Sequence, residues 1–239
     1  MSLEPCPLVV AIMKQILLVI PLVFVAPVAA EPVGRSNEPK HQAVDAMQAL
    51  IRLQEGNARF AAGNPQHPHE KPDWRHTLEK GQQPFAVVLG CSDSRVPPEL
   101  VFDQGFGDLF VVRVAGNIVD TDVIATVEYA IDHLDTQLIV VMGHSNCGAV
   151  TATLDHLKDA DGEPAEVVSL LYRIEPAVIG IPDDLPRQKR IDQAVNRNVQ
   201  LAVRRLSRVP DLRRSVVAGK LKIVGAVYHM HTGKIEILD

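Results

Sequence analysis

Apolar residues change rhythm several times along this chain. Over residues 41–62 they return every three or four positions, with Ala43, Met47, Leu50, Ile51 and Phe60 on one side. That spacing predicts a helix, stopped by Gly63-Asn64-Pro65. Residues 64–73, rich in Pro and His, read as a loop, and 74–80 as a short helix ended by Gly81. Short unbroken apolar runs then alternate with amphipathic stretches. Residues 85–90, 109–114 and 137–143 predict buried strands. Residues 122–134, carrying Val123, Val127, Tyr129 and Ile131, predict a helix, as do 148–158. Beyond a helical segment punctuated by Gly and Pro, 190–208 predicts a longer helix. Residues 222–229 and 234–238 predict a closing hairpin around His231-Thr232-Gly233-Lys234. Strands alternating with helices predict an α/β fold: a mostly parallel central sheet of about five strands, flanked by helices, with an N-terminal helical arm.

The first thirty residues follow a different logic. Lys14 precedes an apolar run from Ile16 to Val28, and Val28-Ala29-Ala30 offers small residues before Glu31. The pattern predicts a secretory signal cleaved near Ala30/Glu31, with Met13 as an alternative start. An uncleaved anchor is the competing reading, but the uninterrupted run is shorter than the ~20 residues that span a bilayer. Residues 31–239 then form a single domain, periplasmic or secreted, with no membrane attachment once the signal is gone. The full chain has 239 residues and a formal net charge of −5, so nothing points to nucleic acid or an anionic surface as partner.

Against that background the cysteines matter. Cys6 leaves with the signal, and Cys91 and Cys147 remain. An exported domain could join these two in a disulfide. Their neighbours suggest another use. The run Cys91-Ser92-Asp93-Ser94-Arg95 follows one predicted strand, and His144-Ser145-Asn146-Cys147 follows another. Two sulfurs and an imidazole supply the three protein ligands of a catalytic zinc site, which keeps a fourth position open. If the two strands are neighbours, both segments emerge at the carboxyl edge of the sheet, where α/β folds bind ligands. Asp93 could orient a water, with Arg95 keeping it ionised, or could close the site as fourth ligand. An ordinary salt bridge is the plain alternative for that pair. His67-Pro68-His69 offers a weaker second place for a metal, and the other histidines show no ligand spacing.

These segments, with Phe110-Val111-Val112-Arg113 and Ala115-Gly116-Asn117 between them, resemble the β-class carbonic anhydrases from about Ala43 to Asp239. The resemblance implies zinc on Cys91, His144 and Cys147, one ion per subunit, and an Asp93–Arg95 catalytic dyad. Gln82 matches a glutamine that reaches across a dimer cleft. Phe110 and Tyr129 match aromatics lining the carbon dioxide pocket, and Gly148 a backbone amide facing substrate. The implied reaction is reversible hydration of carbon dioxide to bicarbonate and a proton by zinc-bound hydroxide, in a homodimer or tetramer. Some members carry a regulatory bicarbonate pocket of tryptophan, arginine and tyrosine. Arg113 and Tyr228 match it, but Val88 stands at the tryptophan position, so the expected arrangement is open, with Asp93 on Arg95. Three rivals share these residues: a carbonyl sulfide or carbon disulfide hydrolase, a non-catalytic zinc protein, and a dithiol redox protein.

Overall fold

The computed structural model describes residues 44–156 and 162–238. The expected signal segment 1–30, Cys6 and the end of the 148–158 helix lie outside the described residues. Among the described residues, no helix is long and apolar enough to cross a membrane.

Five strands form one sheet: β1 (Ala86–Gly90), β2 (Leu109–Arg113), β3 (Leu138–His144), β4 (Lys222–His229) and β5 (Lys234–Leu238). Their order is β2-β1-β3-β4-β5, with all pairs parallel except the β4–β5 hairpin. Every residue of β1 and β3 is buried, which is why these runs are unbroken rather than alternating. From β1 the chain steps to one side for β2, then crosses back to the other for β3. That reversal creates a crevice beyond the carboxyl ends of β1 and β3.

The helices are α1 (Ala46–Ala61), α2 (Pro72–Thr77), α3 (Pro98–Val101), α4 (Thr121–His133), α5 (Gly148–His156), α6 (Ala165–Val178), α7 (Arg187–Ser207) and α8 (Pro210–Val217). Asp45 caps α1 by accepting from the amides of Met47 and Gln48, both at 2.9 Å. The buried face of α1 is not the one its spacing suggests. Ala49, Leu50, Leu53, Gly56 and Asn57 face inward, whereas Met47 and Ile51 are 53% and 46% exposed. Small Gly56 and polar Asn57 carry part of that contact, so counting large apolar residues misplaces the stripe. Asn57 belongs inside because Nδ2 donates to the carbonyls of Val101 and Gly233 and Oδ1 accepts from the Ile235 amide. Helix α4 likewise buries Val123, Val127 and Ala130, while Tyr129 is half exposed.

Alternation along β4 turns Gly225 toward α7 and Tyr228 to the opposite face, where its ring lies 6.3 Å from Phe60 of α1. Gly143 allows α7 to approach β3. A Cβ there would stand 2.5 Å from a Val199 methyl, closer than carbon atoms pack. The backbone just before His144 is thereby seated against a long, rigid helix.

Candidate metal centre

Cys91 follows β1 directly, His144 is the last residue of β3, and Cys147 precedes α5. Since β1 and β3 are adjacent, the strand pairing alone brings residues 56 apart in the chain to one spot. The ligand atoms of Cys91, His144 and Cys147 all lie within 4.8 Å of one another, and all three residues are buried. The sulfurs are 4.0 Å apart and not bonded, so the disulfide alternative does not describe this pair.

Local hydrogen bonds fix each ligand. Nδ1 of His144 donates to the Ser145 carbonyl at 3.1 Å, which leaves the lone pair on Nε2. Nε2 is buried and has no hydrogen-bond partner. A buried imidazole nitrogen without a partner is costly, and here it faces two sulfurs. Cys91 Sγ accepts from the Gly116 amide at 3.3 Å. Gly116 has φ of +65°, and a Cβ on it would stand 2.6 Å from Ile174 Cδ1, so a side chain at this turn would be strained. Asn146, between His144 and Cys147, also adopts a left-handed backbone, with φ of +55°. Its side-chain oxygen accepts from Gln188 of α7 at 3.0 Å.

Asp93 stands beside the centre. Its Oδ1 accepts from the backbone amide and Nε of Arg95 at 3.0 and 2.9 Å, and Oδ2 from Nη2 at 2.7 Å. Oδ2 also lies 3.9 Å from His144 Nε2. Arg113 of β2 holds the loop from outside, donating to the carbonyls of Cys91 and Asp93. The arginine that the resemblance assigns to a regulatory pocket is thus engaged on the ligand loop itself.

Electrostatics favours negative charge here. The Cys91 thiol is drawn down to about 4, first by the hydrogen bond from Cys147, with the amides of Asp93 and Gly116 adding to it against burial. Cys147 is pushed up, because it donates to Cys91 and is itself buried. Arg95 holds the Asp93 carboxyl well below the usual carboxylate range, against the cost of its partial burial. Two sulfurs 4.0 Å apart fit the ~3.8 Å that tetrahedral ~2.3 Å bonds to zinc would set. The donor set, the spacing and the unpartnered Nε2 therefore fit a zinc ion.

The comparisons with known proteins agree. A carbonic anhydrase family model matches residues 86–235. Carbonic anhydrase 2 of Mycobacterium tuberculosis is 42% identical over 189 residues, covering 78% of this chain and 90% of its own. The chain belongs to the β-class carbonic anhydrases. A carbonic anhydrase of Mycolicibacterium smegmatis is 41% identical, covering 77% of this chain and 89% of its own. Among solved structures, the β-carbonic anhydrase CcaA superposes with a TM-score of 0.67 at 31% identity, over 81% of this chain and 87% of its own. The Coccomyxa β-carbonic anhydrase in complex with acetazolamide gives 0.64 at 27%, over 79% and 86%.

The remaining expected site residues of this carbonic anhydrase are spread out. Gly148 is exposed at the first position of α5, beside Cys147. Phe110 of β2 and Tyr129 of α4 pack together, ring centres 6.3 Å apart. Gln82 is exposed in the loop before β1, at the opposite end of that strand from Cys91. Val88 is fully buried within β1. His69 of the His67-Pro68-His69 segment bonds Asp108 at 2.7 Å and stacks on Trp74. Sequence reasoning missed the supports: the Gly116 amide, Asn146, Gln188, and Asn198, whose Nδ2 donates to the Gly116 carbonyl at 2.7 Å. Asn198 left one legible signal, a single amide inside an otherwise apolar helical stripe.

Proposed function

We propose that this enzyme hydrates carbon dioxide reversibly, using zinc held by Cys91, His144 and Cys147, with Asp93 and Arg95 as the catalytic pair. The observation that carries the reading is the meeting of three buried ligand atoms within 4.8 Å beside a carboxylate locked on arginine. Zinc supplies Lewis acidity, lowering the pKa of a water toward neutrality. The protein's part is orientation. Asp93, kept ionised by Arg95, accepts a hydrogen bond through Oδ2 from the attacking water and turns its lone pair toward the carbon. Asp93 remains on Arg95, which is the open arrangement, so the fourth position stays available to solvent. Gly148, at the start of α5, offers a backbone N–H with no partner earlier in its own helix, suited to an oxygen of the substrate.

Gln82 supports a subunit-boundary site. Five strand residues separate its loop from Cys91, about 16 Å at ~3.3 Å per residue, so it serves the centre of a second copy. Phe110 and Tyr129 line the apolar pocket of the resulting dimer or tetramer. The two carbonic anhydrases of Sordaria macrospora are tetrameric, and one of them superposes with a TM-score of 0.63 at 27% identity, over 79% of this chain and 95% of its own. Export through a signal cleaved near Ala30/Glu31 completes the proposal.

The test is metal content measured with turnover on carbon dioxide, carbonyl sulfide and carbon disulfide, using mature protein. About one zinc per chain and fastest turnover on carbon dioxide are expected, with all activity lost on chelation and restored by zinc. Full activity in protein stripped of metal, or preference for a sulfur substrate, would overturn the reading.

A further inference from the structure

Helix α7 crosses behind the metal centre, and one polar residue breaks its apolar stripe. Ile191, Ala194, Val195, Val199, Ala202 and Leu206 form the buried face, and Asn198 sits among them, only 3% exposed. An amide in such a place is costly unless it is hydrogen-bonded. Nδ2 of Asn198 donates to the Gly116 carbonyl at 2.7 Å. The same glycine donates its N–H to Cys91 Sγ at 3.3 Å. Gly116 and Asn117 are successive left-handed residues, with φ of +65° and +43°. Backbone of that kind persists only where its surroundings enforce it. Asn198 is the side chain that grips it.

We propose that Asn198 is a positioning residue for the metal centre. By holding the Gly116 carbonyl it aims the Gly116 N–H at the Cys91 sulfur, and so sets how firmly that sulfur holds a divalent ion. The inference rests on the reading of Cys91, His144 and Cys147 as metal ligands. A hydrogen bond to a ligand sulfur fixes its direction and moderates its charge, and partners of this outer kind govern metal retention. The arrangement ties a core helix, ~100 residues further along the chain, to the first ligand.

The experiment compares wild type, Asn198→Leu, Asn198→Asp and Leu206→Ala. Leucine has nearly the shape of asparagine but cannot donate. Leu206, fully buried in the last turn of α7, reports what a general loss of packing does. Each protein is loaded with zinc and its release to a chromophoric chelator is timed. Each is also loaded with cobalt(II), and the thiolate-to-cobalt charge-transfer band is recorded. Asn198→Leu is expected to release zinc about 10–100-fold faster, with a shifted band. Leu206→Ala should lower Tm while leaving both readouts at wild-type values. Should Asn198→Leu not fold, Asn198→Asp, which sets an oxygen against the Gly116 carbonyl, is expected to show the same two changes. Wild-type release with an unmoved band in the Asn198 variants, or equal acceleration in Leu206→Ala, overturns the inference. Wild-type protein that takes up no stoichiometric metal would instead overturn the reading of the ligands.

Discussion

Asp93 and Asp103 are each bound to an arginine, yet of the two only Asp93 has an oxygen to spare. Asp103 is completely enclosed: its side chain is 0% exposed, Oδ2 takes Arg59 at 2.6 Å, and the amides of Gln66 and His67 fill the rest. Nothing further can approach it. Asp93 is 17% exposed at its side chain, and its Arg95 lies 55% exposed on the outside. The hydrogen bonds to its carboxylate come from that one residue, and Oδ2 still faces His144. A carboxylate saturated from every direction is a fastener. One held from behind, with its front toward a metal-ligand cluster, is placed to act. Pairing with arginine does not separate these cases; the unfilled direction does.

The comparison can be broken by exchanging the two signatures. Asp93→Ala should lower kcat about 10²–10⁴-fold with zinc retained and Tm nearly unchanged, read by stopped-flow hydration and metal analysis. An active Asp93→Ala enzyme would reduce this pair to the same status as the other. Asp103→Asn, which keeps the shape and tolerates the left-handed backbone at this position (φ of +46°), should do the reverse. Losing hydrogen bonds to a charged group costs on the order of 2 kcal/mol, or roughly 4–8 °C in Tm, with turnover per folded molecule close to wild type. The smallest effect lies in pH. Burial works against an ionised Asp103, but the Gln66 and His67 amides and Arg59 outweigh it and hold the carboxyl below its ordinary value. A depressed native pKa contributes stability that is fully present above the unfolded value, about 4, and lost as pH falls through the native one. Acid unfolding of Asp103→Asn, followed by circular dichroism, should therefore have a shallower slope below about pH 4 than wild type.

Much of the architecture was legible because it rests on short-range pattern. The expected strands at 85–90, 109–114 and 137–143 match β1, β2 and β3 within one residue at each end, and the hairpin strands coincide with β4 and β5. Unbroken apolar runs admit few other readings in an α/β chain. Helices were harder to delimit. Helix α8 has no legible apolar stripe, since Pro210 to Val217 carries three charged residues and buries only Leu212. The inward face of α1 is hidden from apolar spacing because Gly56 and Asn57 share the packing there with Ala49, Leu50 and Leu53. At the centre, Cys91, His144 and Cys147 announced themselves by donor chemistry and by following strands. What holds them did not. The Gly116 amide and the Ser145 carbonyl are backbone groups, invisible in residue identity, and Asn198 and Gln188 act from a helix distant in the chain. Arg113 shows the converse: its identity was noticed, but its work on the carbonyls of Cys91 and Asp93 depends on β2 lying beside β1.

The strand order has a consequence for how the molecule comes together. Between Cys91 and His144 the chain makes a whole excursion, out to the edge strand β2 and back through α4, before β3 docks on β1. An ion gripped by both segments would clip the two ends of that excursion, turning coordination energy into resistance against unravelling. Capture of the ion would then be a late event in folding, possible only once those distant strands have met, so uptake would report that the crossover has closed.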